Sequence, residues 1–179
     1  MGYQCNYKKL KEFYRRQKSN IVQRLNEFKN LWRTKNGAKL FGELCFCILT
    51  PQSRAKICWD AVLQLQEKKL LFNGDTQQVH EILLGVRFGR KKAEYIVRSR
   101  ESFKEFRRLL EKCKDRNELR LWLVRNIHGL GYKEASHFLR NIGLGENFAI
   151  LDRHILKNLL EFGVMEKIPK HLTAKNYIE

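Results

Sequence analysis

The stretch HGLGYKEASHFLRN, His128–Asn141, decides the fold. Gly129 and Gly131 stand between an apolar-periodic segment that ends near Ile127 and another that starts near Tyr132. Two glycines at that spacing permit a very tight turn between helices, with backbone amides that no Cβ shields. The positive end of the following helix lies on the same side, so the turn is a seat for an anion. A DNA phosphate would fit there, fixing the position of a duplex without reading its sequence. A plain corner between two helices closed by a glycine cap has the same spacing, and the neighbouring residues discriminate between the two.

Lys133 lies in the first turn after that bend. A free lysine exposes a neutral amine only in a fraction on the order of 10⁻⁴ to 10⁻³ at pH 7, a cost of roughly 4 to 5 kcal/mol for a nucleophile. A helix N-terminus, neighbouring cations and partial burial all disfavour the ammonium and reduce that cost. Downstream, FAILDRHILKNLLEF, Phe148–Phe162, places Asp152 between an apolar run and a helix-period segment. Asp152 reads as an N-cap. Its carboxylate can also stabilise positive charge. Base loss from a nucleoside passes through an oxocarbenium-like sugar, and a carboxylate a few ångströms away lowers that barrier by roughly 4 kcal/mol at an effective dielectric near 20. A carboxylate beside a lysine favours the ammonium, so the role of Asp152 is the sugar cation or proton shuttling.

The whole chain supports a polyanionic partner. Its 179 residues carry 36 Lys and Arg against 19 Asp and Glu, a formal charge of +17. Such an excess points to nucleic acid. No run of eighteen apolar residues, signal peptide or lipidation motif is read, so a membrane partner is not expected. Cys5, Cys45, Cys47, Cys58 and Cys113 are an odd number without CxxC spacing. They read as structural thiols of a reducing compartment: the cytoplasm, in association with the nucleoid, or the nucleus of a eukaryote. Neither a zinc site nor a cubane iron–sulfur cluster is expected, and no metal site is assigned.

Helix-period patterning recurs from Leu10 to Leu160 without a clean alternating strand, so the expected fold is all-α. A first helix spans about Lys8 to Trp32, with Tyr14, Ile21, Leu25, Phe28 and Trp32 as one apolar stripe. Gly37 and Lys39 fall in a connection. FGELCFCILT, Phe41–Thr50, is continuously apolar and reads as a central buried helix that Pro51 ends. Ser53 is expected to cap the next helix, Arg54 to about Gln66, and Asp75 a short one through Leu84. Gly89–Lys112 is a basic amphipathic helix or helix pair with Ala93, Ile96, Val97, Phe103 and Phe106 inward. Asp115 starts a helix running to about Ile127, and Thr173 reads as one more N-cap.

LVRNIHGLGYKEASHFLRN followed by AILDRHIL resembles the helix-hairpin-helix DNA glycosylase superfamily. With FGELCFCILTPQSRA upstream, the chain is most similar to the type-two branch of 8-oxoguanine DNA glycosylase/AP lyases. The resemblance covers most of residues 20 to 175, and the 19 residues from Lys133 to Asp152 match the superfamily's spacing. It implies a two-lobed helical fold: residues 1–40 with 155–179 in one lobe, and 41–154 in a central lobe holding the hairpin motif at about 116–143. It further implies a monomer acting on damaged double-stranded DNA across the cleft between the lobes. Gly129 and Gly131 would form the hairpin on DNA, Lys133 would attack C1′ and Asp152 would assist.

Gln52 matches the position from which many members fill the duplex gap left by a flipped base. Arg54, Arg153 and His154 are expected at phosphates, as are the basic segments GRKK (89–92) and SRAK (53–56). His137 and His154 read as phosphate contacts or as solvated or packed side chains. No organic cofactor is required; the family suggests a monovalent cation at the hairpin carbonyls. The missing cysteine cluster argues against the iron–sulfur branch and for the 8-oxoguanine one, whose members are expected to continue into further helices after the position of HLTAKNYIE. Two other readings share these residues: a non-catalytic hairpin DNA-binding module, and a glycosylase for another damaged base.

Overall fold

The computed structural model describes residues 2–169, 172, 173 and 177, with side chains from residue 7 onward. Among these residues there are helices and no strand. In chain order they are α1 (Gly2–Thr34), α2 (Gly37–Leu49), α3 (Ala55–Glu67), α4 (Leu70–Asn73), α5 (Thr76–Ile82), α6 (Gly89–Lys112), α7 (Arg116–Asn126), α8 (Tyr132–Asn141) and α9 (Arg153–Glu161).

The apolar run 41–49 forms the middle of the molecule because α2 packs against α3, α6 and α8. Leu40, Phe41, Leu44, Cys45, Cys47, Ile48 and Leu49 are all buried, and Phe46 is half-buried. Helix α2 begins earlier than expected. Asn36 caps it, its Oδ1 accepting the Lys39 amide at 3.0 Å, so Gly37 and Lys39 belong to its first turn rather than to a connection. The single apolar core runs from Leu40 to Leu144. Within it Phe106 of α6 lies between Trp122 of α7 and Phe138 of α8, with centroids 5.6 and 5.7 Å away. That one ring joins the long helix to both arms of the hairpin.

Local capping behaves as expected at Asp75, which exchanges bonds with Gln78 in a capping box, and at Asp115, whose carboxylate accepts from Asn117 N at 2.8 Å. Helix α5 stops at Ile82, and Leu84 lies beyond it, exposed. Ser53 does not cap α3. Its hydroxyl accepts from Arg87 N and Lys92 Nζ instead, leaving Arg54 at the N-cap without a side-chain bond. Gly89–Lys112 is one continuous helix with Ala93, Ile96, Phe103 and Phe106 buried and Val97 half-buried. Thr173 O accepts from Tyr177 N; the residues between them lie outside the described ones, so its capping role does too.

Helix α1 departs most from expectation. Of its stripe only Phe28 is buried; Trp32 is half-buried, and Tyr14, Ile21 and Leu25 are 50%, 40% and 45% exposed. The reason is that α1 reaches the core only at its C-terminal end, against α2 and α8. There Gly143, at φ +78°, approaches so closely that a Cβ would stand 2.8 Å from Phe28 O and Lys29 Cα. Arg140 lies over the Phe28 ring at 5.3 Å and donates to Asn141 Oδ1, and Asn141 donates to buried Glu43 at 2.9 Å. This chain of contacts ties α1, α8 and α2 together.

Phe106→Ala is expected to cost about 3 to 5 kcal/mol in denaturant unfolding, because three helices lose one shared ring. A loss below about 1 kcal/mol would show that the hairpin does not depend on α6 for its placement.

Candidate active site

Helices α7 and α8 and the turn at 127–131 build a helix-hairpin-helix. Gly129 has φ +87°, and a Cβ there would meet Tyr95 Cδ2 at 2.6 Å, so both conformation and space demand glycine. Tyr95 of α6 also stacks on His128, with centroids 6.2 Å apart, and buried Leu130 roots the turn in the core. Gly131 caps α8 with extended backbone, and its N–H donates to Glu134 Oε2 at 3.3 Å. Glu134 Oε1 lies 3.2 Å from Lys133 Nζ. One carboxylate thus holds both an amide of the anion seat and the lysine ammonium. Glu134 follows the N-cap by three residues, a capping-box position visible in the sequence, yet the reading of the sequence missed it. Where neighbouring cations were expected around Lys133, a carboxylate is its ion-pair partner. Any anion reaching Gly131 N would compete with the same side chain that holds Lys133.

Asp152 caps α9 as expected, its Oδ1 accepting from His154 N at 2.8 Å and Ile155 N at 2.9 Å. Two groups bind its loop to the first turn of α8. The Tyr177 hydroxyl donates to Ala149 O at 2.9 Å and accepts from Leu151 N at 3.1 Å, while its ring stacks on Tyr132 at 6.1 Å. Arg120 of α7 lies over both Phe148, at 4.3 Å, and Tyr132, at 5.6 Å. The residues just before Lys133 and just before Asp152 are therefore held together. Neither tie has a local sequence signal, because each joins residues distant in the chain.

His137, one turn beyond Lys133, lies within electrostatic reach of both. Burial pushes its pKa down to about 4, the Arg140 and Lys133 cations add to that, and the Asp152 carboxylate opposes it. The imidazole packs edge-on against Phe46 at 5.8 Å, and Phe46 in turn meets the edge of Trp59 at 5.4 Å. Of the sequence readings of this histidine, packing is the one observed.

The remaining candidates occupy other positions. Arg153 and His154 are exposed in the first turn of α9, with Arg153 Nε donating to His154 Nε2 at 3.4 Å. Gln52 is exposed in the turn between α2 and α3 with φ +57°, and exposed Arg54 follows it. These two connect to the Lys133 region through α2: Thr50 N donates to Phe46 O, one turn from the ring against His137. In GRKK and SRAK, Arg90, Lys91 and Lys56 are exposed, but Lys92 is buried and cannot touch phosphate. No group of three or more metal-ligating side chains gathers among the described residues, and no described helix is long and apolar enough to cross a membrane.

A lysine opening the second helix of a hairpin, linked to an aspartate capping the next helix, is the arrangement of a helix-hairpin-helix DNA glycosylase. Residues 21–179 match the family described as 8-oxoguanine DNA glycosylase, and the chain belongs to it. It is 42% identical over 181 residues to the 8-oxoguanine DNA glycosylase/AP lyase of Fusobacterium nucleatum, covering 97% of this chain and 82% of that one. The crystal structure of the 8-oxoguanine DNA glycosylase of Thermotoga maritima superposes with TM-score 0.86 at 35% identity, covering 98% of this chain and 83% of that one. The Methanocaldococcus jannaschii 8-oxoguanine glycosylase/lyase in complex with a 15mer DNA containing 8-oxoguanine superposes with TM-score 0.83 at 40% identity, covering 96% and 82%.

The depressed pKa of His137 makes stability depend on pH. An unfolded imidazole gains its proton near pH 6.5 and the folded one near 4, so between these values the unfolded chain binds more protons and stability falls as pH falls. The contribution lost by pH 4 is about 3 kcal/mol. Unfolding measured from pH 7 to 4 is expected to be flatter in His137→Gln than in the wild type by that amount. Parallel pH profiles would contradict the placement of His137.

Proposed function

We propose that the chain is a bifunctional DNA glycosylase/AP lyase of base-excision repair that flips 8-oxoguanine out of the duplex and excises it. The Lys133 amine, released from Glu134, forms a bond to C1′ as the N-glycosidic bond breaks and the base departs with a proton. Asp152 stabilises the cationic sugar in that transition state and shuttles protons. The aminal opens to an iminium, a Schiff base between Lys133 and the sugar. Loss of a C2′ proton then expels the 3′ phosphate by β-elimination. The observation that carries this reading is Tyr177, whose ring stacks on Tyr132 while its hydroxyl accepts from Leu151 N, so the residues just before Lys133 and just before Asp152 are held together.

The duplex is assigned to the hairpin at Gly129 and Gly131, to Arg54, and to Arg153 and His154 at the start of α9, with Gln52 entering the gap left by the flipped base. DNA lies between the central lobe, residues 41–154, and the lobe formed by residues 1–40 and 155–179. The protein acts as a monomer in a reducing compartment that holds the genome. Lysine chemistry needs no organic cofactor. The backbone carbonyls of the hairpin are hard oxygen donors that suit a monovalent cation, and no step depends on one. The names of the relatives and the DNA-bound neighbour support this choice of lesion.

Borohydride trapping on duplexes containing 8-oxoguanine or an abasic site tests it. A covalent complex is expected with the wild type, and its loss is expected in Lys133→Gln, with catalysis reduced by about a thousandfold or more. An untrappable wild type would favour a DNA-binding module without catalysis. Faster release of thymine glycol than of 8-oxoguanine would assign another lesion.

A further inference from the structure

Lys92 is 5% exposed, and none of its polar contacts is to a carboxylate. Its ammonium donates to Leu49 O at 2.6 Å, Pro51 O at 2.7 Å and Ser53 Oγ at 3.2 Å. The three N–H donors of this one ammonium, in the first turn of α6, thereby reach the end of α2 and the turn that follows it, some forty residues earlier in the chain. Leu49 is the last residue of α2, where helix carbonyls lack amide partners and a cation is electrostatically favoured. An apolar side chain would fill the same space without burying a charge, so stability alone does not explain a lysine there.

The turn it grips carries Gln52 at φ +57°, a left-handed backbone that a glutamine adopts only under constraint. Two of Lys92's acceptors flank that residue directly, Pro51 before it and Ser53 after it. Ser53 Oγ also accepts from Arg87 N at 3.0 Å, binding in the turn that precedes α6. There Phe88 has φ +60° and is 56% exposed. Two adjacent turns, each presenting an exposed side chain from a strained residue, are thus fastened at a single point.

We propose that Lys92 is a positioning residue: with Ser53 it pins the turn between α2 and α3 so that Gln52 is held ready to enter the duplex. This rests on the proposed function of Gln52. It assigns Lys92 to the step that separates bases, not to the chemistry at C1′. A substrate with no opposite strand therefore has no need of it.

The test compares borohydride trapping on an abasic-site duplex, with 2-aminopurine opposite the site, and on the same abasic strand alone. The variants are Lys92→Met, Ser53→Ala, Ser53→Thr, Gln52→Ala and Lys92→Met combined with Gln52→Ala. Lys92→Met and Ser53→Ala are expected to lower the duplex-to-single-strand ratio of trapping rates about tenfold and to reduce the 2-aminopurine signal on binding. Ser53→Thr, which keeps the hydroxyl, restores both. In the Gln52→Ala background Lys92→Met adds no further loss, since the two act as one unit. Should Lys92→Met fail to fold, the Ser53 pair decides. An unchanged ratio, equal losses on both substrates, or additive losses would overturn the proposal. A wild type that traps nothing overturns the catalytic reading and this inference together. A trapping wild type whose ratio is insensitive to Gln52→Ala overturns this inference alone.

Discussion

Everything at the site depends on how closely the hairpin approaches α6. Tyr95 leaves no room for a side chain at position 129, and the turn there takes a left-handed backbone. Those two constraints fix the direction in which α8 departs, and with it the placement of Lys133 in the first turn of that helix. The core beneath is continuous from Leu40 to Leu144, so α2, α6, α7 and α8 form one rigid support. Rigid support of this kind is what nucleophilic chemistry requires, because an amine displaced by about an ångström loses much of its advantage.

The electrostatics at the hairpin balance opposing demands. A chain with net charge +17 is drawn to DNA, and an amide-lined turn at a helix N-terminus accepts phosphate. Glu134 occupies that position in the free protein, bound to Gly131 N and to Lys133. A phosphate arriving at the turn competes with this carboxylate. In the proposed mechanism, docking of DNA and release of the lysine would be coupled through this single side chain. Asp152 is already engaged through Oδ1 as a helix cap, and in the proposed mechanism that preorganises it for the charge developing on the sugar.

What the sequence disclosed, and what it hid, follows from the range of the forces. Asp75, Asp115 and Asp152 were legible as caps because a cap bonds amides two or three residues away. The hairpin was legible because glycine at a tight turn is a local necessity. Ser53 looked like a cap by the same rule, but amide and ammonium donors from residues 87 and 92 claim its hydroxyl. No local pattern could reveal that competition. Lys92 looks like a phosphate contact in the sequence because charge there does not reveal burial. The α1 stripe was read correctly as a helix face, yet periodicity does not say what covers a face, and Tyr14, Ile21 and Leu25 are exposed. Tyr177 and Arg120, which hold the Asp152 loop to α8, act across long stretches of chain and left no signal.

The central claim is that the amine at position 133 is the atom that joins the sugar. Peptide mapping of the borohydride-reduced complex by mass spectrometry reads that bond directly. The account predicts a deoxyribose remnant on Lys133 and nowhere else. The remnant on Lys157, on another lysine or on the N-terminal amine would contradict it.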